Sequence, residues 1–119
     1  MKDLAPDIFR QRLLIEGYYT IEVTRESLAA YLSGVAAHLG LRAYGEAAIF
    51  SPGGEGKAEN QGFDAFLPLV DSGISAYVWT GRRFVSVFLF TCKGFDEAAA
   101  IEYTRRQFAI AGEIASARV

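Results

Sequence analysis

Apolar and polar residues alternate with a strand-like period through the middle of the chain, and the period lengthens on either side of it. Phe63 to Val70, Ile74 to Thr80 and Phe84 to Cys92 are three β-branched and aromatic runs, separated by turn signals at Asp71-Ser72-Gly73 and Gly81-Arg82. Pro68 assigns part of the first run to a sheet edge or a bulge. Upstream, Arg12 to Val23 reads as an opening strand, interrupted at Gly17 by a bulge or a close backbone approach. Arg42 to Phe50 reads as a second strand weakened by alanines and Gly45, and Glu113 to Val119 as a last short one.

Two segments switch to a helical period. Leu28, Tyr31, Leu32, Val35, Ala36 and Leu39 share one face, with Thr24 as N-cap, Glu26 beside the positive end of the helix dipole and Gly40 as the stop. Asp96 caps a second helix, with Ala98, Ile101, Tyr103 and Phe108 on its apolar face. The order β-α-β-β-β-β-α-β predicts an α+β two-layer sandwich, a mainly antiparallel sheet with both helices on one face.

Between these elements, residues 51–62 carry four glycines and a proline without an apolar anchor, and read as a loop long enough to suggest a functional role. Gly56-Lys57 invites a phosphate-loop reading. That motif needs a glycine where Ser51 stands and a Ser or Thr where Ala58 stands, so it is rejected.

A chain of 119 residues and 13.0 kDa accommodates one domain, residues 1–119. A formal net charge of -2 leaves no cationic surplus to neutralise phosphates, which argues against nucleic acid as a partner. No apolar run approaches the roughly eighteen residues that span a bilayer, so no membrane segment and a cytoplasmic location are expected. A single cysteine, Cys92, excludes an intrachain disulfide and a cysteine metal cluster. A single histidine, His38, argues against a zinc site or a Ser-His-Asp triad. His38 itself reads as structural or superficial, and Tyr18, Tyr19 and Tyr31 as core or subunit-interface aromatics.

The central segment resembles the self-cleavage region of the bacterial S-adenosylmethionine decarboxylases, a pyruvoyl-dependent family. Ser72, Ile74, Ser75, Trp79 and the ending Phe90-Thr91-Cys92 match that family in order and spacing. Asp71, Gly73, Tyr77, Thr80 and Gly81 stand where it has Glu, His, His, Pro and Glu. The resemblance continues through Arg12-Leu13-Leu14-Ile15-Glu16, Phe50-Ser51-Pro52-Gly53-Gly54 and Ala100-Ile101-Glu102-Tyr103.

What the resemblance implies is specific. The chain would split before Ser72 by an N-to-O acyl shift and elimination, converting Ser72 into a pyruvoyl cofactor that serves as an electron sink for decarboxylation. Cys92, twenty residues on, would be the proton donor, and Asp71 would keep the carboxylate before the turn. Tyr77 replaces the processing histidine with a phenol, a poorer base near neutral pH. Gly81 removes the ribose ligand. Phe50 matches the adenine-stacking aromatic, and Ser75, in the matched central segment, is a further candidate substrate contact with Glu16 and Asp64.

Taken from the residues alone, Ser72-Gly73 is equally ordinary turn chemistry, and Cys92 equally a small apolar group ending a strand. The readings therefore stand side by side. One is a decarboxylase acting on S-adenosylmethionine or another cationic amino acid once Ser72 is processed. A second is an uncleaved homologue serving as a ligand-binding or regulatory module, or as an enzyme with non-pyruvoyl chemistry, in which Glu16, Asp64, Asp71 and Glu55 are candidate carboxylates for a cationic ligand. The third is an oligomerisation domain, since the family pairs into homodimers through its sheets.

Overall fold

The computed structural model describes residues 1–51 and 56–119. Six strands, β1 (Gln11–Tyr18), β2 (Ala48–Phe50), β3 (Gly62–Leu69), β4 (Ser72–Trp79), β5 (Phe84–Thr91) and β6 (Ile114–Arg118), alternate with two helices, α1 (Arg25–His38) and α2 (Glu97–Gln107). They form one sheet of order β2-β3-β4-β5-β1-β6, antiparallel at every pairing. This is the α+β sandwich that the pattern predicts, with β1 threaded between β5 and β6.

The caps fall where the sequence signals lie. Thr24 accepts from Ser27 N–H at 3.0 Å while Ser27 Oγ accepts from Thr24 N–H at 2.9 Å, a reciprocal capping box. Gly40, at φ 71°, takes the left-handed position that ends α1. Asp96 accepts from Ala99 N–H at 3.1 Å and starts α2.

Both helices cover the sheet face built from Leu13, Ile15, Leu67, Ile74, Val87 and Leu89, all buried. At the helix–helix contact, Tyr31 is fully buried and its hydroxyl meets Thr104 Oγ1 at 2.7 Å. Thr104 in turn donates to Ala100 O at 2.8 Å. This chain satisfies both hydroxyls inside the core, and burial raises the Tyr31 pKa well above the ordinary phenol range.

Several boundaries differ from expectation. The opening strand ends at Tyr18 rather than running to Val23, because Tyr19 leaves the ladder and donates its N–H to Arg83 O at 2.8 Å. Gly17 is the predicted close approach: a Cβ there would lie 2.9 Å from Ile110 Cδ1. The second strand shrinks to Ala48–Phe50. Ala43 keeps only an isolated bridge to Leu69. Pro68 sits inside β3 beyond the end of β2, where its carbonyl accepts from Tyr44 N–H and its missing N–H deprives no strand. Ala58–Asn60 forms a 3-10 turn inside the segment read as loop. The Pro52-Gly53-Gly54 part of the expected turn, and Glu55, lie outside the described residues.

Candidate functional site

The turn before Ser72 is tighter than the sequence suggests, and it shifts by one residue. Leu69 pairs with Ser72, so Val70 and Asp71 alone form a two-residue hairpin turn and Ser72 opens β4 rather than sitting in the turn. Asp71 adopts φ 56°, a left-handed conformation that aspartate tolerates better than most side chains.

That placement brings Ser72 to the end of β5. Its Oγ accepts from Cys92 N–H at 3.1 Å, and Ser72, Cys92 and Asp71 line one pocket of about 260 Å³ with Leu69 and Val70. Ser72 is half-buried, whereas Asp71 and Cys92 are exposed. The opposite wall comes from the C-terminal end of α1, where Gly40, Leu41 and Arg42 close the space and Lys93 Nζ donates to Gly40 O at 3.0 Å. Arg42 and Lys93 escape a motif search. Their only sequence signals are adjacency to the helix stop at Gly40 and to Cys92. With two cations against one carboxylate, the pocket favours an anionic group on whatever enters it.

The other candidate residues lie elsewhere. Asp64 and Tyr77 are cross-strand partners on the uncovered face of the sheet, with Phe50 opposite Asp64 and Ser75 two residues from Tyr77. Tyr77 is separated from Ser72 by five residues, which is roughly 16 Å along a strand, and an odd offset turns it to the other face. Within one chain the phenol and the Ser72 hydroxyl do not meet. Asp64 and Tyr77 border a second pocket of about 280 Å³, completed by Lys57, Asn60 and Trp79, where the indole N–H donates to Asn60 Oδ1 at 2.9 Å. Glu16 also faces this side and accepts from Ser86 Oγ at 2.7 Å. Among the described residues, no three His, Cys, Asp or Glu side chains gather as a metal site would require, and no helix is long and apolar enough to cross a membrane.

The uncovered face is conspicuously aromatic. Tyr18, Phe50, Phe66 and Tyr77 are 59%, 65%, 45% and 43% exposed, values more typical of an interface than of a solvated sheet. Tyr18, Phe84 and Trp79 form a line of tilted rings at 5.1 Å and 5.3 Å across three strands.

Fold and pocket together define a class, the two-layer α+β sandwich with a serine-bearing β-hairpin turned toward the end of its neighbouring strand. Among solved structures, the chain is similar to the adenosylmethionine decarboxylase of Aquifex aeolicus, with a TM-score of 0.71 over 94% of this chain and 89% of that one at 17% identity. The chain thus has an S-adenosylmethionine decarboxylase-like fold. No known family profile and no curated protein matches it.

Proposed function

We propose that the protein is a divergent S-adenosylmethionine decarboxylase-like protein. Its Ser72–Cys92 pocket takes S-adenosylmethionine or a smaller cationic amino acid, and it decarboxylates that ligand once Ser72 is processed. The observation that carries this reading is the 3.1 Å hydrogen bond from Cys92 N–H to Ser72 Oγ inside one pocket. The residues fit the group that the fold family uses. Ser72 Oγ is one side chain away from the Asp71 carbonyl it would attack, and the Cys92 amide is placed to hold the oxygen there. A pyruvoyl group at this position supplies an electron sink for the carbanion left when carbon dioxide departs.

The chain's own residues supply the rest. Arg42 and Lys93 attract the α-carboxylate of the ligand, and Asp71 faces its ammonium. Cys92, whose backbone N–H bonds Ser72 Oγ and which lines the same pocket, is the residue assigned as proton donor. Glu16, Asp64, Ser75 and Phe50 contribute only from the uncovered face, so their role in binding requires that face to be closed by a second copy of the chain. Stacking two open faces buries the exposed aromatics and gives a two-fold homodimer.

A second reading has its own observation. Tyr77 stands where the resemblance expects a processing histidine, and it faces away from Ser72, which favours an uncleaved ligand-binding module. Intact mass separates the two. The first reading expects the 13.0 kDa chain to split at Asp71-Ser72 into two fragments, the later one reacting with ketone-trapping reagents, and Ser72→Ala to stay whole. A chain that remains intact after prolonged incubation, yet binds S-adenosylmethionine saturably by calorimetry, leaves the second.

A further inference from the structure

The edge of the sheet where β1 begins and β6 ends has its own pocket, of about 440 Å³, lined by Phe9, Arg10, Arg12, Glu97, Arg118 and Val119 together with Gln11. Most of the polar groups here are matched. Arg10 is tied to Asp3 and donates to Ala5 O at 3.1 Å. Arg118 Nε donates to both oxygens of Glu97 at 2.9 and 3.1 Å. Gln11 uses its amide on Phe95 and Glu97.

Arg12 is the exception: its Nε is buried and has no acceptor among the described residues. An arginine N–H shut away from water without an acceptor is costly, because the donor has lost its solvent partner and gained nothing. Three guanidinium groups line this pocket with the Glu97 carboxylate, which Arg118 already engages, and Val119, the last residue of the sequence. Nε itself is shut away from anything that enters the pocket, so a ligand there meets the outer nitrogens of the Arg12 fork, whose planar geometry matches an anionic group carrying two or more oxygens.

We propose that this pocket binds a small oxyanion, a phosphate or a carboxylate, through Arg12, with Arg118 and Arg10 supplying charge. The site is separate from the Ser72–Cys92 pocket and holds whether or not Ser72 is processed.

The test follows the arginine Nε–H resonances and the melting temperature of the full chain during titration with inorganic phosphate, and separately with acetate, at constant ionic strength. The expected result is a saturable shift of the Arg12 Nε–H signal and a rise in melting temperature. The rise disappears in Arg12→Gln, and Arg118→Gln weakens the affinity by about ten-fold, the loss of one charge-assisted contact. It is unchanged in Arg82→Gln, on the distant β4–β5 turn. The stronger responder of the two anions assigns the site to phosphate or carboxylate. An absent or non-saturable response to both, or an equal response in Arg12→Gln, overturns the proposal. So does a response that appears only when Gly-Ser residues appended after Val119 carry the terminal carboxylate out of the pocket, since that carboxylate would then be the acceptor.

Discussion

The two faces of the sheet are made by the same strands, yet they are built from different chemistry. Toward the helices, alternate positions are Leu, Ile, Val and Ala, with Leu13, Ile15, Ile74, Val87 and Leu89 at 0–2% exposure. On the other side, the intervening positions are aromatic or polar: Tyr18, Phe66, Tyr77, Trp79, Phe84, Ser75, Ser86, Glu16 and Asp64. Branched aliphatic side chains pack to crystal-like density and hold the fold. Aromatic side chains carry large contact area at small entropic loss, and suit a face that something else covers. One face is finished within the chain, and the other stays uncovered by it.

The largest expected effect tests that division. Leu89→Ala removes a fully buried side chain between β1 and β4 and should lower stability by about 2–5 kcal/mol in chemical denaturation, with no dependence on protein concentration. The double substitution Tyr18→Ser and Phe66→Ser acts through association instead. In the homodimer proposed above, it should shift sedimentation from dimer to monomer, and it should cost the monomer about 1 kcal/mol or less. A loss from the exposed pair as large as that from Leu89, and equal at every concentration, would break the comparison.

Next in size is the polar contact that the covered face does contain. Thr104→Val leaves the Tyr31 hydroxyl buried without its partner and should cost about 1–3 kcal/mol, read from the denaturation midpoint. Tyr31 also gives a pH signature. Burial raises its pKa in the folded state above the reference 10.0, so the unfolded chain loses this proton first. The stabilising contribution is complete below pH 10 and falls as the pH rises beyond it. Tyr31→Phe should flatten part of the stability loss above pH 10 and leave the neutral-to-acid limb unchanged. Tyr19, whose pKa burial also raises, keeps the remainder of the alkaline slope.

Much of this architecture is legible in the sequence because its signals are local. Thr24, Gly40 and Asp96 mark helix ends through hydrogen bonds to residues three or four positions away, and alternation fixes which side chains of β3 to β5 share a face. Where the outcome rests on distant partners, the sequence misleads. The segment from Arg42 to Ala47 is strand-like in composition, but it stays outside the sheet apart from one bridge, because its backbone partners Pro68 and Val70 lie at the β3–β4 turn. The site divides in the same way. Ser72 and Cys92 are twenty residues apart and meet because the β4–β5 hairpin lays the start of β4 beside the end of β5. The matched frame that includes Ser72 and Tyr77 hides the parity that places them on opposite faces, and Arg42 and Lys93 become visible only when the end of α1 closes over the turn.

The smallest expected effect on stability therefore carries the sharpest information about the two faces. Tyr77 is 43% exposed on the uncovered side and outside the buried core, so Tyr77→His should change stability by no more than about 0.5 kcal/mol. An imidazole is a better base near neutral pH than a phenol, so the same change should speed any splitting at Asp71-Ser72. Parity and roughly 16 Å of strand separate residue 77 from Ser72 of its own chain, and Ser72 opens toward the helix-covered side, so a gain is expected only where a second copy brings its own residue 77 around the end of the sheet to Ser72. The rate of mass splitting in Tyr77→His should then rise with protein concentration and collapse when Tyr18→Ser and Phe66→Ser are added. A gain that is independent of concentration would mean that residue 77 reaches Ser72 within one chain, and the two faces would not be as separate as the register makes them.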